Sequence, residues 1–207
     1  MKALLIIDVQ NDFCPNGKLA VPNGDQVIEP INKLSLMFDC VVQTQDWHPL
    51  NHISFASNHA EKNPYDTIDL EYGKQVLWPN HCVQESRGAD FHPDLDTKNI
   101  NMIVRKGFRP DIDSYSAFYE NDHTTKTGLK GYLDSLNVSA VFIVGLATDF
   151  CVKWTALDAR KCGYDTYVIM DAVRGINIDN SVEKAEKEMT AAKVNLIDSS
   201  MLSPLLK

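Results

Sequence analysis

The sequence predicts a doubly wound α/β protein: a mostly parallel six-stranded sheet flanked by helices and interrupted by one long loop insertion. Three observations lead there. Short β-branched and aliphatic runs recur along the chain and read as buried strands. Amphipathic stretches of helical period lie between them, and that alternation is the pattern of a parallel sheet covered on both faces. One stretch, residues 46–99, is rich in His, Asn, Pro, Asp and Gly without sustained periodicity, and a loop that long in a compact protein usually serves a function.

In chain order, the expected strands are residues 3–8, 40–44, 102–106, 140–145, 166–170 and 194–197. The first helix follows from Val27, Ile31, Leu34 and Phe38. Pro30 is tolerable only near its first turn, where backbone N–H groups lack intrahelical partners, so the helix should begin only a few residues earlier. Val152, Thr155, Ala156 and Ala159 mark a second helical face, and Val182, Ala185, Met189 and Ala192 a third. Ser203 and Pro204 suit the cap and first residue of a short terminal turn. No repeat, low-complexity tract or linker divides the chain. A length of 207 residues, 44% hydrophobic and 23% charged, fits a single domain over residues 1–207.

A formal net charge of -8 removes the electrostatic reason to bind nucleic acid or an anionic membrane. No apolar run approaches the ~18 residues of a membrane span, and the start meets acidic and amide residues too early for a signal peptide. A cytoplasmic protein is expected. Cys14, Cys40, Cys82, Cys151 and Cys162 are odd in number, scattered and in no C-x-x-C pair, which argues for free thiols in a reducing compartment.

Ligands of open parallel sheets bind beyond the carboxyl ends of the strands, so the residues closing the apolar runs matter most. The first run ends at Asp8, the second leads into Asp46-Trp47-His48, the third ends at Lys106, and the fourth passes through Gly145 to Thr148-Asp149-Phe150-Cys151. A carboxylate, a metal-type pair, an ammonium and a thiol should therefore meet on one edge. Cys151 opens an amphipathic helix, where the helix N-terminus stabilises a thiolate and offers N–H groups to an oxyanion. Spacing alone leaves a buried structural cysteine as an equal reading. Lys106 beside the thiol would favour the thiolate, and Asp8 could exchange protons with the thiol and a leaving group.

Asp46 and His48 fall on one face of an extended segment and could share a cation. His81 and His52 are the natural further ligands, in a mixed carboxylate and imidazole set that suits zinc, iron or manganese. Cys82, beside His81, reads either as a soft ligand or as apolar filler. His59, His92 and His123 have no such company and take surface or structural roles. Phe13, Trp78 and Tyr115 could wall a pocket for a flat ring, or be core.

Several segments together resemble the isochorismatase-like cysteine hydrolases, and within them the nicotinamidase/pyrazinamidase branch. They are the start Ala3-Leu4-Leu5-Ile6-Ile7-Asp8-Val9-Gln10-Asn11-Asp12-Phe13, the loop Gln45-Asp46-Trp47-His48-Pro49, Trp78-Pro79-Asn80-His81-Cys82, Lys106-Gly107, and Gly145-Leu146-Ala147-Thr148-Asp149-Phe150-Cys151. The likeness runs along nearly the whole chain in order. It implies Cys151 as nucleophile, Asp8 as general base and acid, and Lys106 as the charge holding both. It implies one divalent metal on Asp46, His48 and His81, zinc before iron or manganese, with His52 an optional fourth ligand. Phe13, Trp78 and Tyr115 would bind the substrate ring, and Ala147 and Thr148 would join them in lining the substrate site. A cis peptide between Ala147 and Thr148 would aim the Ala147 and Cys151 N–H groups at the oxyanion. The implied reaction is hydrolysis of nicotinamide to nicotinate and ammonia through a thioester, and likewise of pyrazinamide, feeding NAD salvage, by a monomer or homodimer. Three alternatives stay open: an amidase with another substrate, a metal-water hydrolase in which Cys151 is structural, and a binding module on an inactive hydrolase fold.

Overall fold

The computed structural model describes residues 1–206. The elements are β1 (Lys2–Ile7), α1 (Ile28–Ser35), β2 (Cys40–Asp46), β3 (Thr67–Leu70), β4 (Gly73–Val76), β5 (Met102–Lys106), α2 (Leu129–Ser135), β6 (Ala140–Leu146), α3 (Lys153–Lys161), β7 (Asp165–Arg174), α4 (Ser181–Ala191), β8 (Asn195–Ile197) and α5 (Leu202–Leu205). Six strands form one sheet in the order β5-β2-β1-β6-β7-β8, and every pairing in it is parallel.

The period-two alternation of each strand sorts its side chains between two cores. Leu4 and Ile6 of β1, Val41 of β2 and Phe142 and Val144 of β6 pack with Ile28, Ile31 and Leu34 of α1 and Leu202 of α5 on one face. Ala3, Leu5 and Ile7, Val42, and Val141 and Ile143 pack on the other face with Leu129 and Leu133 of α2, Ala156 and Ala159 of α3 and Met189 of α4. The chain builds from β1 outward to β2 and β5, then returns beside β1 to lay down β6, β7 and β8. The order therefore reverses between β1 and β6, and a crevice opens there at the carboxyl ends of the strands.

Pro30 is the third residue of α1, within the first turn as its chemistry requires. Three features depart from the expected element list. α2 carries only two buried side chains in seven residues, Leu129 and Leu133, too short a stripe to show as a period. The long segment contains an antiparallel hairpin, β3–β4, whose strands leave most residues exposed or half-buried and so lack the alternation that marks a strand. At the chain's end Ser203 is not the cap: Asp198 accepts from the Ser200 N–H and caps a short 3₁₀ turn, which runs into α5 one residue before Ser203. Among the described residues, no helix is long and apolar enough to cross a membrane, and all five cysteines are free.

At Gly145 the two central strands leave no room for a side chain. The glycine has φ +107°, and a Cβ there would lie 2.2 Å from the Ile7 carbonyl oxygen and 2.7 Å from the Ile7 nitrogen. Both the conformation and the space exclude a side chain. Gly145→Ala is expected to destabilise the protein by about 3 kcal/mol or more, read as a shift of the urea unfolding midpoint at unchanged slope.

Candidate active site

Asp8 follows β1, Asp46 ends β2, Lys106 ends β5, and Cys151 stands in the π-helical turn, Thr148–Val152, that joins β6 to α3. The parallel sheet thus delivers all four to one crevice. Lys106, fully buried, is at its centre. Its ammonium forms an ion pair with Asp8 Oδ2 at 2.9 Å, donates to Asp46 Oδ1 and to the Ser114 carbonyl oxygen at 3.0 Å, and lies 3.8 Å from Cys151 Sγ. Asp8 adopts φ +49°, a conformation costly for a residue with a side chain and typical of functional sites. Thr44 holds it there: the Thr44 hydroxyl donates to Asp8 Oδ1 at 2.6 Å and accepts the Asp8 N–H at 3.1 Å.

The electrostatics of this group are mutual. Burial would lower the Lys106 pKa, but the Asp46 and Asp8 carboxylates drive it well above its ordinary value, so the ammonium persists. Burial and the Asp46 charge raise Asp8 to about 6, against the pull of Lys106 and the Thr44 hydrogen bond. Burial pushes the Cys151 thiol well above its usual range, and Lys106 does not overcome it. Lys106 favours the thiolate as expected, but desolvation outweighs one neighbouring cation that already serves two carboxylates. A protonated thiol needs a base, and Asp8, whose carboxylate charge also acts on the thiol, is poised to be one near neutral pH.

Beside this cluster, Asp46, His48 and His81 bring one carboxylate oxygen and two imidazole nitrogens within 4.8 Å of one another, all buried. Asp46 Oδ2 lies 3.5 Å from His48 Nε2 and 3.8 Å from His81 Nε2. Each ring orientation has a backbone cause. His48 Nδ1 is 2.9 Å from the Gly107 carbonyl oxygen and His81 Nδ1 is 2.8 Å from that of Pro79. A carbonyl only accepts, so each Nδ1 carries the proton and each Nε2 lone pair faces Asp46. Burial opposes a charge on His48, yet the Asp46 carboxylate raises its pKa, so the pocket attracts positive charge between these residues. Burial alone would raise Asp46 too, but the Lys106 ammonium holds it well below the carboxylate range and keeps it ionised, as a metal ligand would need to be. The donor set fits a divalent ion of borderline softness.

His52 is oriented differently. Its Nε2 lies 3.2 Å from the Ile112 carbonyl oxygen and its Nδ1 2.7 Å from the Ser54 hydroxyl. Nε2 must then donate and Nδ1 accept, which leaves no lone pair free. Burial and the neighbouring His48 lower its pKa to about 4, so it stays neutral, packed 4.3 Å from the His48 ring. In this arrangement His52 turns no lone pair toward Asp46 and stands against the His48 ring.

Phe13, Trp78 and Tyr115 line a cleft of about 340 Å³, open mouth included, with Asp46, His48, His81, Ala147 and Cys151 on its inner surface. Trp78, Tyr115 and Phe150 meet edge to face, with centroids 4.9 Å (Trp78–Phe150) and 5.7 Å (Tyr115–Phe150) apart. Two expectations need correction. Thr148 is not part of the cleft lining; it opens the π-helical turn and packs against Gly175. The cis peptide is Leu146–Ala147, not Ala147–Thr148, so it is the bond that carries the Ala147 N–H itself.

The cleft also contains Leu19, Asp113, Phe150 and Ile176, which sequence reasoning passed over. Leu19 and Ile176 stand on irregular loops and leave no periodic trace. Asp113 stands two residues before Tyr115, the one local signal it offers. Gln10, fully buried, was also missed: its amide accepts the Asp46 N–H at 2.8 Å and donates to the Asp46 and Ala89 carbonyl oxygens, so it clamps the Asp46 end of β2. Asp149 accepts from Ile176 N, Asn177 N and the Ser181 hydroxyl, tying the turn of Cys151 to the loop of Ile176. His59 bonds to the Ile53 carbonyl and His123 packs on Trp154, both away from the cleft.

The isochorismatase domain, as a family model, matches residues 2–201. The chain is 56% identical over 197 residues to the nicotinamidase of Acinetobacter baylyi, an alignment spanning 95% of this chain and 92% of that protein. Among solved structures it is similar to a nicotinamidase and pyrazinamidase of Acinetobacter baumanii, with TM-score 0.96, 55% identity and 97% of each chain covered. It is also similar to a pyrazinamidase of Pyrococcus horikoshii in complex with zinc, with TM-score 0.78, 35% identity, and 95% of this chain and 98% of that one covered.

Gly107 tests the metal geometry. It has φ +60°, and a Cβ there would lie 2.3 Å from His48 Cε1 and 2.5 Å from His48 Nδ1. Gly107→Ala is expected to rotate the His48 ring and weaken divalent-ion binding by about 10-fold or more, while far-UV circular dichroism stays that of the parent. Zinc titration against a competing chelator reads the change.

Proposed function

The chain belongs to the isochorismatase family, and on that footing we propose that it is a metal-dependent cysteine amidohydrolase that converts nicotinamide to nicotinate and ammonia, and pyrazinamide to pyrazinoate. The observation that carries the reading is the meeting of a buried thiol, a carboxyl raised to about 6 and a buried ammonium below an aromatic-walled cleft that also presents a carboxylate–imidazole cluster. The relatives named above support nicotinamide as the substrate. The product nicotinate would feed NAD salvage.

The cleft takes the flat ring between Phe13, Trp78 and Tyr115, with the carboxamide toward Cys151. Asp46, His48 and His81 would hold a divalent ion, zinc in this reading and in keeping with the zinc complex of the Pyrococcus horikoshii pyrazinamidase, which would supply Lewis acidity and help to orient the substrate. Asp8 removes the Cys151 thiol proton as the sulfur attacks the amide carbon, and Lys106 balances the charge moving between them. The N–H groups of Ala147 and Cys151 hold the oxyanion. Asp8 returns the proton to the departing nitrogen, ammonia leaves and a nicotinoyl thioester remains. Asp8 then takes a proton from water, which attacks the thioester; nicotinate leaves and the sulfur recovers its proton. Asp113, Gln10 and Asp149 act as positioning residues.

Cys151→Ala is expected to lower ammonia release from nicotinamide by about 10³-fold or more with nicotinamide binding retained. A folded, metal-loaded Cys151→Ser protein that kept parental turnover would point instead to a metal-water hydrolase. Asp8→Asn should yield no acyl adduct in mass spectra of acid-quenched protein, whereas the parent should show the nicotinoyl mass increment.

A further inference from the structure

The hairpin β3–β4 is mostly open to solvent, yet Gln75 on it is fully buried. A glutamine amide is costly to bury unless each of its groups is bonded. Here they are. Its two Nε2 hydrogens serve Asp113 Oδ2 at 2.7 Å and the Val76 carbonyl oxygen at 2.8 Å, with the Tyr115 hydroxyl at 3.1 Å as a third, shared acceptor. Its Oε1 accepts from Asn121 Nδ2 at 3.1 Å and the Tyr72 hydroxyl at 3.2 Å. A carboxylate and a carbonyl on one side of the amide leave no ambiguity about which end is nitrogen.

The partners give this network its meaning. Trp78 leaves the hairpin two residues after β4, Tyr115 comes from the separate segment 111–121, and the two rings form one side of the cleft. Trp78 Nε1 donates to the Tyr115 hydroxyl at 3.2 Å, the same oxygen that Gln75 reaches. Asn121, also bonded to Gln75, accepts the Tyr115 N–H at 3.0 Å through Oδ1 and donates its own N–H to the Asp113 carbonyl at 2.8 Å. One side chain on an exposed hairpin thus holds the hydroxyl of Tyr115, the carboxylate of Asp113 and the amide that fixes Tyr115's backbone. Gln75 makes no hydrogen bond to Asp8, Lys106 or Cys151.

We propose that Gln75 is a positioning residue that sets the width of the aromatic slot, and through it the selectivity for an unsubstituted ring over ring-substituted amides. The inference rests on the amidase reading. Without the amide, Asp113 and Asn121 lose buried partners and Tyr115 gains room to swing away from Trp78, which loosens ring binding while leaving the reacting groups in place.

The test compares Gln75→Leu, Gln75→Glu and the double variant Gln75→Glu with Asp113→Asn, each checked for folding by circular dichroism and for zinc content. Gln75→Leu is expected to raise KM for nicotinamide about tenfold with kcat changed by less than about threefold, and to narrow the preference for nicotinamide over 5-methylnicotinamide. Gln75→Glu, with a carboxylate facing Asp113, should lose more. The double variant exchanges donor and acceptor across the Asp113 contact, though not against the Val76 carbonyl, and should recover part of the KM and of the selectivity lost in Gln75→Glu. Parental KM and selectivity in a folded, zinc-loaded Gln75→Leu protein would overturn the inference, as would a fall in kcat at constant KM or a double variant no better than Gln75→Glu. Parent protein that releases no ammonia from nicotinamide would instead overturn the amidase reading, and this inference with it.

Discussion

The ammonium of Lys106 is the charge on which the site depends. It is fully buried among two carboxylates and a thiol, and a single cation there must serve all of them. Burial of such a charge is unfavourable in isolation and tolerable only when paired and hydrogen-bonded, which Asp8, Asp46 and the Ser114 carbonyl supply. The reverse also holds, since without Lys106 the two carboxylates would repel in a low-dielectric crevice and one of them would take up a proton. The same ion thus keeps Asp46 ionised and offsets the rise of Asp8, and it pulls against the burial that keeps the Cys151 thiol neutral. In this way the proposed metal ligand set and the proposed nucleophile share one electrostatic centre.

Around that centre, backbone carbonyls do much of the sorting. Three histidines crowd together within ring contact, yet only two turn a lone pair toward Asp46. The difference lies in what each opposite nitrogen meets. Carbonyls of Gly107 and Pro79 take the Nδ1 protons of His48 and His81, while the Ile112 carbonyl takes the Nε2 proton of His52. Gly107 is part of the same device, because only a residue without Cβ lets the His48 ring lie against that carbonyl.

The long segment between β2 and β5 contributes few apolar residues to the sheet's cores, but it brings His81 and Trp78 to the crevice. It is held by polar side chains buried at its contacts: Gln10 clamps the end of β2, and Asp12 Oδ2 accepts the Cys82 N–H at 2.7 Å just beyond His81. Gln75 does the same for the hairpin. Buried polar groups that are fully paired specify a single arrangement more sharply than apolar packing does, because any slip leaves a donor or acceptor bare.

The strands and main helices were legible in the residues because periodicity is local: an alternation along β1 or a Val27, Ile31, Leu34 stripe depends only on which face meets the core. The chemistry at the strand ends was legible for a related reason, since a parallel sheet carries those ends to one edge whatever the order of strands. Tertiary structure alone decided the rest. Strand order put the reversal between Asp8 and Cys151; carbonyls distant in sequence chose the histidine tautomers and left His52 without a free lone pair; desolvation, a property of the whole surround, kept the thiol protonated. α2 and the β3–β4 hairpin escaped a local reading because a two-residue stripe and a mostly exposed strand carry no period, and Gln75 escaped because a glutamine's role depends on what it meets after folding.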